Sequence, residues 1–211
     1  MAKIININSI NSETLEILAS ELKNGKIFVL PTSTLYGICA NAFNEDAVNK
    51  IYKIKKREYT KPLIVLVDGI EMLKKVVCNI TKKHEEMINK FWPGSLTIIF
   101  KRSNFVPRIV TAQKESIAVR MDSSYIVNKL ITMAKVPIVA PSANISGNLN
   151  ISSIEDLEKQ IVENVDYIID GGVISSLEPS TIVKFEKNYV KIIREGKIKK
   201  KELENIFYDN V

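Results

Sequence analysis

The chain has 211 residues, of which 45% are hydrophobic and 26% are charged. This composition supplies a packed core for one domain and excludes a disordered chain. The formal net charge of +6 favours anionic ligands. Two cysteines and one histidine are too few for a zinc site, and we expect Cys39 and Cys78 to be reduced and buried. No apolar run approaches the roughly 20 residues of a membrane span and no signal segment follows Met1, so the sequence predicts a cytosolic protein.

Strand and helix patterns mix along the whole chain. The predicted strands are residues 27–30, 63–67, 96–100, 117–119, 137–140, 167–169, 181–185 and 189–193. Helices are predicted to begin at Asn11 or Ser12, at Asn44 and at Thr81, and further helical patterns cover residues 125–133 and 154–161. A last helix opens in residues 197–201 and includes Leu203 and Ile206. No composition break or repeat divides the chain, so we predict a single α/β or α+β domain over residues 1–211.

Hydroxyl side chains follow the first predicted strand, in the loop Pro31-Thr32-Ser33-Thr34-Leu35-Tyr36-Gly37. Pro31 cannot donate to a sheet ladder and Gly37 can adopt backbone angles closed to other residues, so the loop is predicted to have one fixed shape. The hydroxyls would then point into a pocket at the end of the strand. The alternative is a turn that is rich in hydroxyls for conformational reasons alone.

A basic cluster follows the helix that begins at Asn44. Lys55, Lys56, Arg57 and Lys61 lie in or beside one loop, with Glu58 as the only acidic neighbour. Arginine offers a planar fork for two phosphate oxygens and lysine offers a mobile point charge, so this mixture suits a polyphosphate. The alternative is a solvated basic loop that complements the helix C-terminus.

The pattern of the first loop recurs later in the chain. A short apolar strand runs into Ala140-Pro141-Ser142-Ala143-Asn144-Ile145-Ser146-Gly147, and two further segments are Pro179-Ser180-Thr181-Ile182-Val183 and Ile193-Arg194-Glu195-Gly196. Ligands bind at strand ends in open α/β sheets, so we expect Thr34 and Ser142 to lie on the same concave wall. The chain has no evident Ser-His-Asp or Cys-His set, so no protein nucleophile is predicted.

Taken in order, these segments resemble the YrdC/Sua5 family, the threonylcarbamoyl-AMP synthases, over roughly residues 10 to 200. The resemblance rests on seven ordered motifs: Pro31 to Gly37, Lys55-Lys56-Arg57, Phe91-Trp92-Pro93-Gly94-Ser95-Leu96-Thr97, Ala118-Val119-Arg120, Pro141 to Gly147, Ser180-Thr181-Ile182-Val183 and Arg194-Glu195-Gly196. It implies a twisted mixed β-sheet flanked by helices around a basic concave cavity. It also implies the short form of the family, without the C-terminal domain of the longer Sua5 type.

The activity implied by the resemblance is that of a nucleotidyltransferase. L-threonine, bicarbonate and ATP, with Mg²⁺ accompanying the triphosphate, become L-threonylcarbamoyladenylate and diphosphate. A downstream transferase complex then uses the adenylate for threonylcarbamoylation (t6A) of adenosine 37 in tRNA, and the resemblance leaves room for a weak contact with tRNA itself. No zinc and no metal held by protein side chains are expected.

The resemblance also assigns site residues. Threonine is expected at Thr34, Arg120 and Ser180, with Arg120 pairing to its carboxylate. ATP is expected at Lys55, Arg57, Lys61, Ser116, Ser142, Asn144 and Arg194. Three departures stand out: Ser33 replaces an acidic residue, Met121-Asp122-Ser123 replaces a Met-Pro-Asp type of sequence, and Leu66 occupies the place of a histidine.

Two other readings stay open from the sequence. One is a YrdC-like relative with another carbamoyl or adenylate activity, and the other is an RNA-binding module. Against the second reading, the basic residues are not interleaved with aromatic residues of the kind that stack bases.

Overall fold

The computed structural model describes residues 2–175, 177–186 and 189–203, and ten strands of these residues form one mixed sheet. The strands are β1 Lys3–Asn6, β2 Phe28–Pro31, β3 Tyr36–Asn41, β4 Ile64–Leu66, β5 Leu96–Lys101, β6 Ser116–Arg120, β7 Ile138–Val139, β8 Tyr167–Asp170, β9 Thr181–Phe185 and β10 Val190–Arg194. Their order in the sheet is β1-β8-β2-β3-β7-β4-β6-β5-β9-β10. The sheet contains parallel pairs, such as β4 with β6 and β5 with β9, and antiparallel pairs, such as β2 with β3. The predicted α/β class with a mixed sheet is confirmed.

Six α-helices among the described residues accompany the sheet: α1 Ser12–Lys23, α2 Glu45–Ile54, α3 Ile70–Val76, α4 Lys82–Phe91, α5 Tyr125–Ala134 and α6 Lys159–Asn164. The first, second and fourth begin at predicted caps, because the side chains of Asn11, Asn44 and Thr81 each accept a backbone N–H from the first turn. In the part of the chain that the structure describes, none of the helices has the length and apolar character needed to cross a bilayer.

The first hydroxyl loop connects two adjacent inner strands of the sheet, β2 and β3. Every residue of β2 and β3 is buried, and the two strands pair in register through Phe28 with Cys39 and Pro31 with Tyr36. The loop between them is therefore the tight connection of a buried antiparallel pair. Tyr36 and Gly37, which the sequence placed in the loop, already belong to β3.

Some local predictions differ from the structure. Residues 154–161 are not one helix, because a 3₁₀ turn at Ile154–Asp156 precedes α6. Residues 200–203 are helical as predicted, whereas Ile206 lies outside the described residues. The prediction that both cysteines are buried is wrong for Cys78, which is exposed. Val77 is buried where it pairs with Arg102, and the alternation of an extended chain turns the next residue to the opposite side. Cys39 is buried, and this burial raises the pKa of its thiol.

Candidate functional site

A cavity of about 170 Å³ lies where the two hydroxyl-rich loops meet. The loops are joined directly: Gly37 and Ser142 form an isolated β-bridge, and the backbone N–H of Ala143 donates to the carbonyl oxygen of Tyr36. Thr34 and Ser142 both line the cavity, so the expected common wall is confirmed. The full lining is Thr32, Thr34, Leu35, Tyr36, Gly37, Arg57, Pro62, Ile64, Arg120, Ala140, Pro141, Ser142, Asn150, Pro179, Ser180 and Arg194.

All three residues predicted to bind threonine line this cavity. Arg120 ends β6 and is 4% exposed. Its Nη2 lies 2.7 Å from Oδ2 of Asp122, and its Nη1 donates to Oγ of Ser33 at 3.3 Å. Its Nε is buried and has no hydrogen-bond partner among the described residues. Burial lowers the pKa of Arg120, and the Asp122 carboxylate acts against that shift. Each terminal nitrogen carries a second hydrogen beyond these contacts, so the guanidinium can still donate to a bound ligand.

Asp122 is a residue of the site that the sequence did not assign. It is fully buried, and its carboxylate accepts hydrogen bonds from the backbone N–H of Ser33 at 2.9 Å, from Ser33 Oγ at 3.0 Å and from the N–H of Ser124 at 2.8 Å. With Arg120, four donors converge on one carboxyl group. Two of the departures from the family pattern, at residues 33 and 122, are therefore in direct contact. Asp122 links the first hydroxyl loop to the arginine on β6.

Three of the residues predicted to bind ATP line the same cavity: Arg57, Ser142 and Arg194. Arg57 donates through Nε to the carbonyl oxygen of Lys61 and through Nη2 to that of Pro62. Arg194 donates through Nε and Nη2 to the carbonyl oxygen of Ser180, at 3.2 and 2.7 Å. Burial lowers the pKa of both guanidinium groups. Among the described residues that line the cavity, three are arginines and none is acidic. The site is therefore suited to anionic ligands.

Lys55 does not line the cavity but fixes one of its walls. It is 1% exposed, and its Nζ donates to the backbone carbonyl oxygens of Ser142 and Asn144. Burial, and secondarily the charge of Arg57, lower the pKa of Lys55 to about 7, while these carbonyl contacts favour the charged form. Lys55 thus holds the second hydroxyl loop against the C-terminal end of α2.

The other residues assigned to ATP also lie outside the lining. Asn144 is buried, accepts the hydroxyl hydrogen of Ser142 at 2.5 Å and donates to the carbonyl oxygen of Asn148. Lys61 is exposed and pairs with Glu58 at 2.8 Å. Ser116 begins β6, opposite Lys101, whereas Arg120 ends that strand. The roles assigned to these residues stay predictions.

Tyr36 has a structural role that the sequence did not predict. Its hydroxyl accepts the N–H of Gly171 at 3.0 Å and donates to the carbonyl oxygen of Gly172 at 2.7 Å. A Cβ at residue 171 would lie only 2.7 Å from Cγ of Pro31, so the close approach of the two segments requires glycine there. Tyr36 therefore lines the cavity, while its hydroxyl ties the segment after β8 to the first loop.

A mixed α/β sheet whose strand-end loops bring arginines and hydroxyls to one cavity defines a protein that binds small anionic ligands. The sequence profile of the Sua5/YciO/YrdC family, described as "Telomere recombination", matches residues 20–196. The chain belongs to this family, which confirms the resemblance found from the motifs.

Individual relatives give the same result. A Methanocaldococcus jannaschii protein is 43% identical over 201 residues, which cover 93% of this chain and 94% of that protein. The threonylcarbamoyl-AMP synthase of Pyrococcus abyssi is 34% identical over 207 residues, which cover 98% of this chain and 61% of that protein. The crystal structure of P. abyssi Sua5 complexed with L-threonine matches with a TM-score of 0.89 at 34% identity, over 97% of this chain and 61% of that one. The present chain thus spans less than two thirds of the P. abyssi relative.

Proposed function

We propose that the protein is an L-threonylcarbamoyladenylate synthase, a nucleotidyltransferase that makes threonylcarbamoyl-AMP and diphosphate from L-threonine, bicarbonate and ATP. The observation that carries the proposal is the single cavity lined by Thr34, Arg120 and Ser180 together with Arg57, Ser142 and Arg194. Membership of the family and the name of the P. abyssi relative support the same activity.

On the threonine side, Arg120 pairs with the substrate carboxylate. Asp122 accepts one N–H of Nη2 and Ser33 accepts one N–H of Nη1, so the guanidinium is oriented before the substrate arrives. Each of these terminal nitrogens carries a second hydrogen, and the substrate carboxylate accepts from them. Thr34 and Ser180 bind the remaining polar groups of threonine.

On the ATP side, Arg57 and Arg194 neutralise the phosphates. Each donates two N–H groups to backbone carbonyls, and Arg194 also contacts the hydroxyl of Ser180, which fixes the direction of the positive charge. The N–H groups of Nη1 are then available to a ligand in both arginines. Ser142 adds a hydroxyl oxygen, and Lys55 and Asn144 hold its loop in shape. We keep Lys61 and Ser116 as contacts to parts of the nucleotide that extend beyond the cavity.

The substrate form of the nucleotide is MgATP. No cluster of three or more His, Cys, Asp or Glu side chains suited to a metal occurs among residues 2–175, 177–186 and 189–203. The cavity lining formed by the described residues has no acidic side chain, and we propose that the triphosphate itself supplies the oxygen ligands for Mg²⁺.

The chemistry requires positioning and charge stabilisation rather than a protein nucleophile. The threonine nitrogen attacks the bicarbonate carbon, forming an N–C bond as water leaves and giving a carbamate. A carbamate oxygen then attacks the α-phosphorus, forming an O–P bond while the bond to the bridging oxygen of the β-phosphate breaks, and diphosphate leaves with both bonding electrons. The arginines stabilise the charge that builds on the phosphate oxygens.

The product is a mixed anhydride and needs an acceptor. We place a threonylcarbamoyl transferase complex next, acting on N6 of adenosine 37 in tRNA (t6A formation), and we place the reaction in the cytosol.

The test is diphosphate release from MgATP by the purified protein, with threonine or bicarbonate left out in turn. The proposal expects release only when both are present, and a product whose mass equals that of threonylcarbamoyl-AMP. Release that ignores threonine, or a carbamoyl adenylate without threonine, would instead favour a relative with another activity.

A further inference from the structure

The hydroxyl group of Ser180 has a fully buried neighbour that was not among the predicted site residues. Thr97 lies on β5, and its Oγ1 is 2.8 Å from Oγ of Ser180, which immediately precedes β9. The two strands are parallel neighbours, with Thr97 opposite Ile182. Thr97 is 0% exposed and Ser180 is 4% exposed. The cavity therefore reaches Ser180 but not Thr97.

The direction of this hydrogen bond follows from the surroundings of Thr97. Ser180 Oγ is the only side-chain partner of Thr97 Oγ1 among the described residues. If Ser180 were the donor, the hydrogen of Thr97 would be buried without an acceptor, which costs free energy. Thr97 is therefore the donor. Arg194 Nη2 also donates to Ser180 Oγ, at 3.2 Å. Ser180 thus accepts two hydrogen bonds, and its own hydrogen is left to point into the cavity.

The hydrogen bonds around Thr34 leave its hydroxyl oxygen free to accept, whereas those around Ser180 leave its hydroxyl hydrogen free to donate. Oγ1 of Thr32 is 2.6 Å from the carbonyl oxygen of Leu35, and a carbonyl has no hydrogen, so Thr32 must be the donor there. Thr32 Oγ1 also accepts the backbone N–H groups of Thr34 and Leu35. In the 3.2 Å contact between the hydroxyls of Thr32 and Thr34, Thr32 therefore has no hydrogen to give. The lone pairs of Thr34 Oγ1 stay available to a ligand.

We propose that Thr97 is a positioning residue that determines specificity: by donating to Ser180 it makes Ser180 a donor in the cavity that Thr34 lines as an acceptor, and this pair selects an amino acid with a side-chain hydroxyl. Such a hydroxyl donates to Thr34 and accepts from Ser180. An amino acid of the same shape without the hydroxyl leaves both groups unpaired in a buried site, which a polar pocket rejects strongly. The inference rests on the proposed function and concerns how threonine is chosen.

The experiment compares L-threonine with L-valine, which has nearly the same shape, by calorimetry on the full chain. Thr97→Val keeps the branched shape on β5 and removes only the hydroxyl. We expect threonine affinity to fall about tenfold, valine affinity to stay the same and MgATP affinity to stay the same. Thr97→Ser, which keeps the donor, is expected to restore the threonine to valine ratio.

Thr97→Cys provides a second variant of similar size, because a thiol is a weak donor. We expect its threonine to valine affinity ratio to lie between those of the wild type and Thr97→Val. This variant also tests the inference if Thr97→Val does not fold. An unchanged threonine to valine ratio in the folded variants overturns the inference, as does an equal loss for both amino acids. Failure of the wild type to bind threonine would contradict the proposed function instead.

Discussion

The buried ion pair between Arg120 and Asp122 gives the sharpest prediction of stability. Replacing Asp122 with Asn keeps the size of the side chain and removes its charge. Asn can still accept the two backbone N–H groups through its oxygen, but its NH₂ group then faces both Nη2 of Arg120 and the hydroxyl of Ser33. The guanidinium is left buried beside another donor.

The magnitude follows from burial. The side chains of Arg120 and Asp122 are 5% and 0% exposed, and their charged atoms are 2.7 Å apart. Removing one partner of such a pair costs about 3–5 kcal/mol, since the remaining charge stays buried without its counter-ion. Lys74 and Glu71 form a pair at the same 2.7 Å whose side chains are 58% and 85% exposed. Glu71→Gln is the matched control, and we expect it to cost less than about 1 kcal/mol.

Urea denaturation followed by the fluorescence of the single tryptophan, Trp92, measures both variants on one scale. A free energy of unfolding for Asp122→Asn within about 1 kcal/mol of the wild type, or equal to that of the control, would refute the reasoning. It would mean that Arg120 finds water or another acceptor where the structure shows none.

Three further predictions concern the nucleotide, pH and the metal. Arg57→Ala should weaken MgATP binding by about 2 kcal/mol, measured by calorimetry. The control Lys53→Ala, on the exposed side of α2, should leave MgATP binding unchanged. Equal effects of the two substitutions would mean that Arg57 belongs to a solvated basic loop and does not bind the nucleotide. Burial lowers the pKa of His84 to about 4, so the unfolded chain takes up the proton first and stability falls as pH drops from 6.5 to 4. Measured by urea titration, the free energy of unfolding of the wild type should fall by about 3 kcal/mol relative to that of His84→Asn over this pH range. A difference between the two proteins that does not change with pH would contradict the lowered pKa of His84. Removing Mg²⁺ with EDTA should abolish diphosphate release and leave threonine binding intact. If threonine binding also required Mg²⁺, the proposal that the triphosphate holds the ion would be contradicted.

Features set by local sequence were predictable. The caps at Asn11, Asn44 and Thr81 and most strand positions depend on residues within a few places of one another, and the structure has them where the patterns predicted. The meeting of the two hydroxyl loops was predictable as well, because both follow sheet strands.

Features set by distant partners were not predictable. The direction of the Lys55 side chain depends on carbonyl groups at Ser142 and Asn144, far along the chain, so a cluster that suggested solvent-facing donors contains one buried lysine. Asp122 was noticed only as a departure from the family pattern. Its role depends on Ser33, which the fold brings within 3.0 Å. Thr97 lacks a signal of its own, since a threonine on a buried strand is ordinary until its single partner is known.

The central claim is that threonine and the nucleotide share one cavity, with Arg120 on the amino acid and Arg57 and Arg194 on the phosphates. A crystal structure of the protein with L-threonine and a non-hydrolysable MgATP analogue tests this most directly. The account predicts the threonine carboxylate on the guanidinium of Arg120, its side-chain hydroxyl between Thr34 and Ser180, and the triphosphate against Arg57 and Arg194. Threonine bound elsewhere, or a nucleotide phosphate on Arg120, would contradict it.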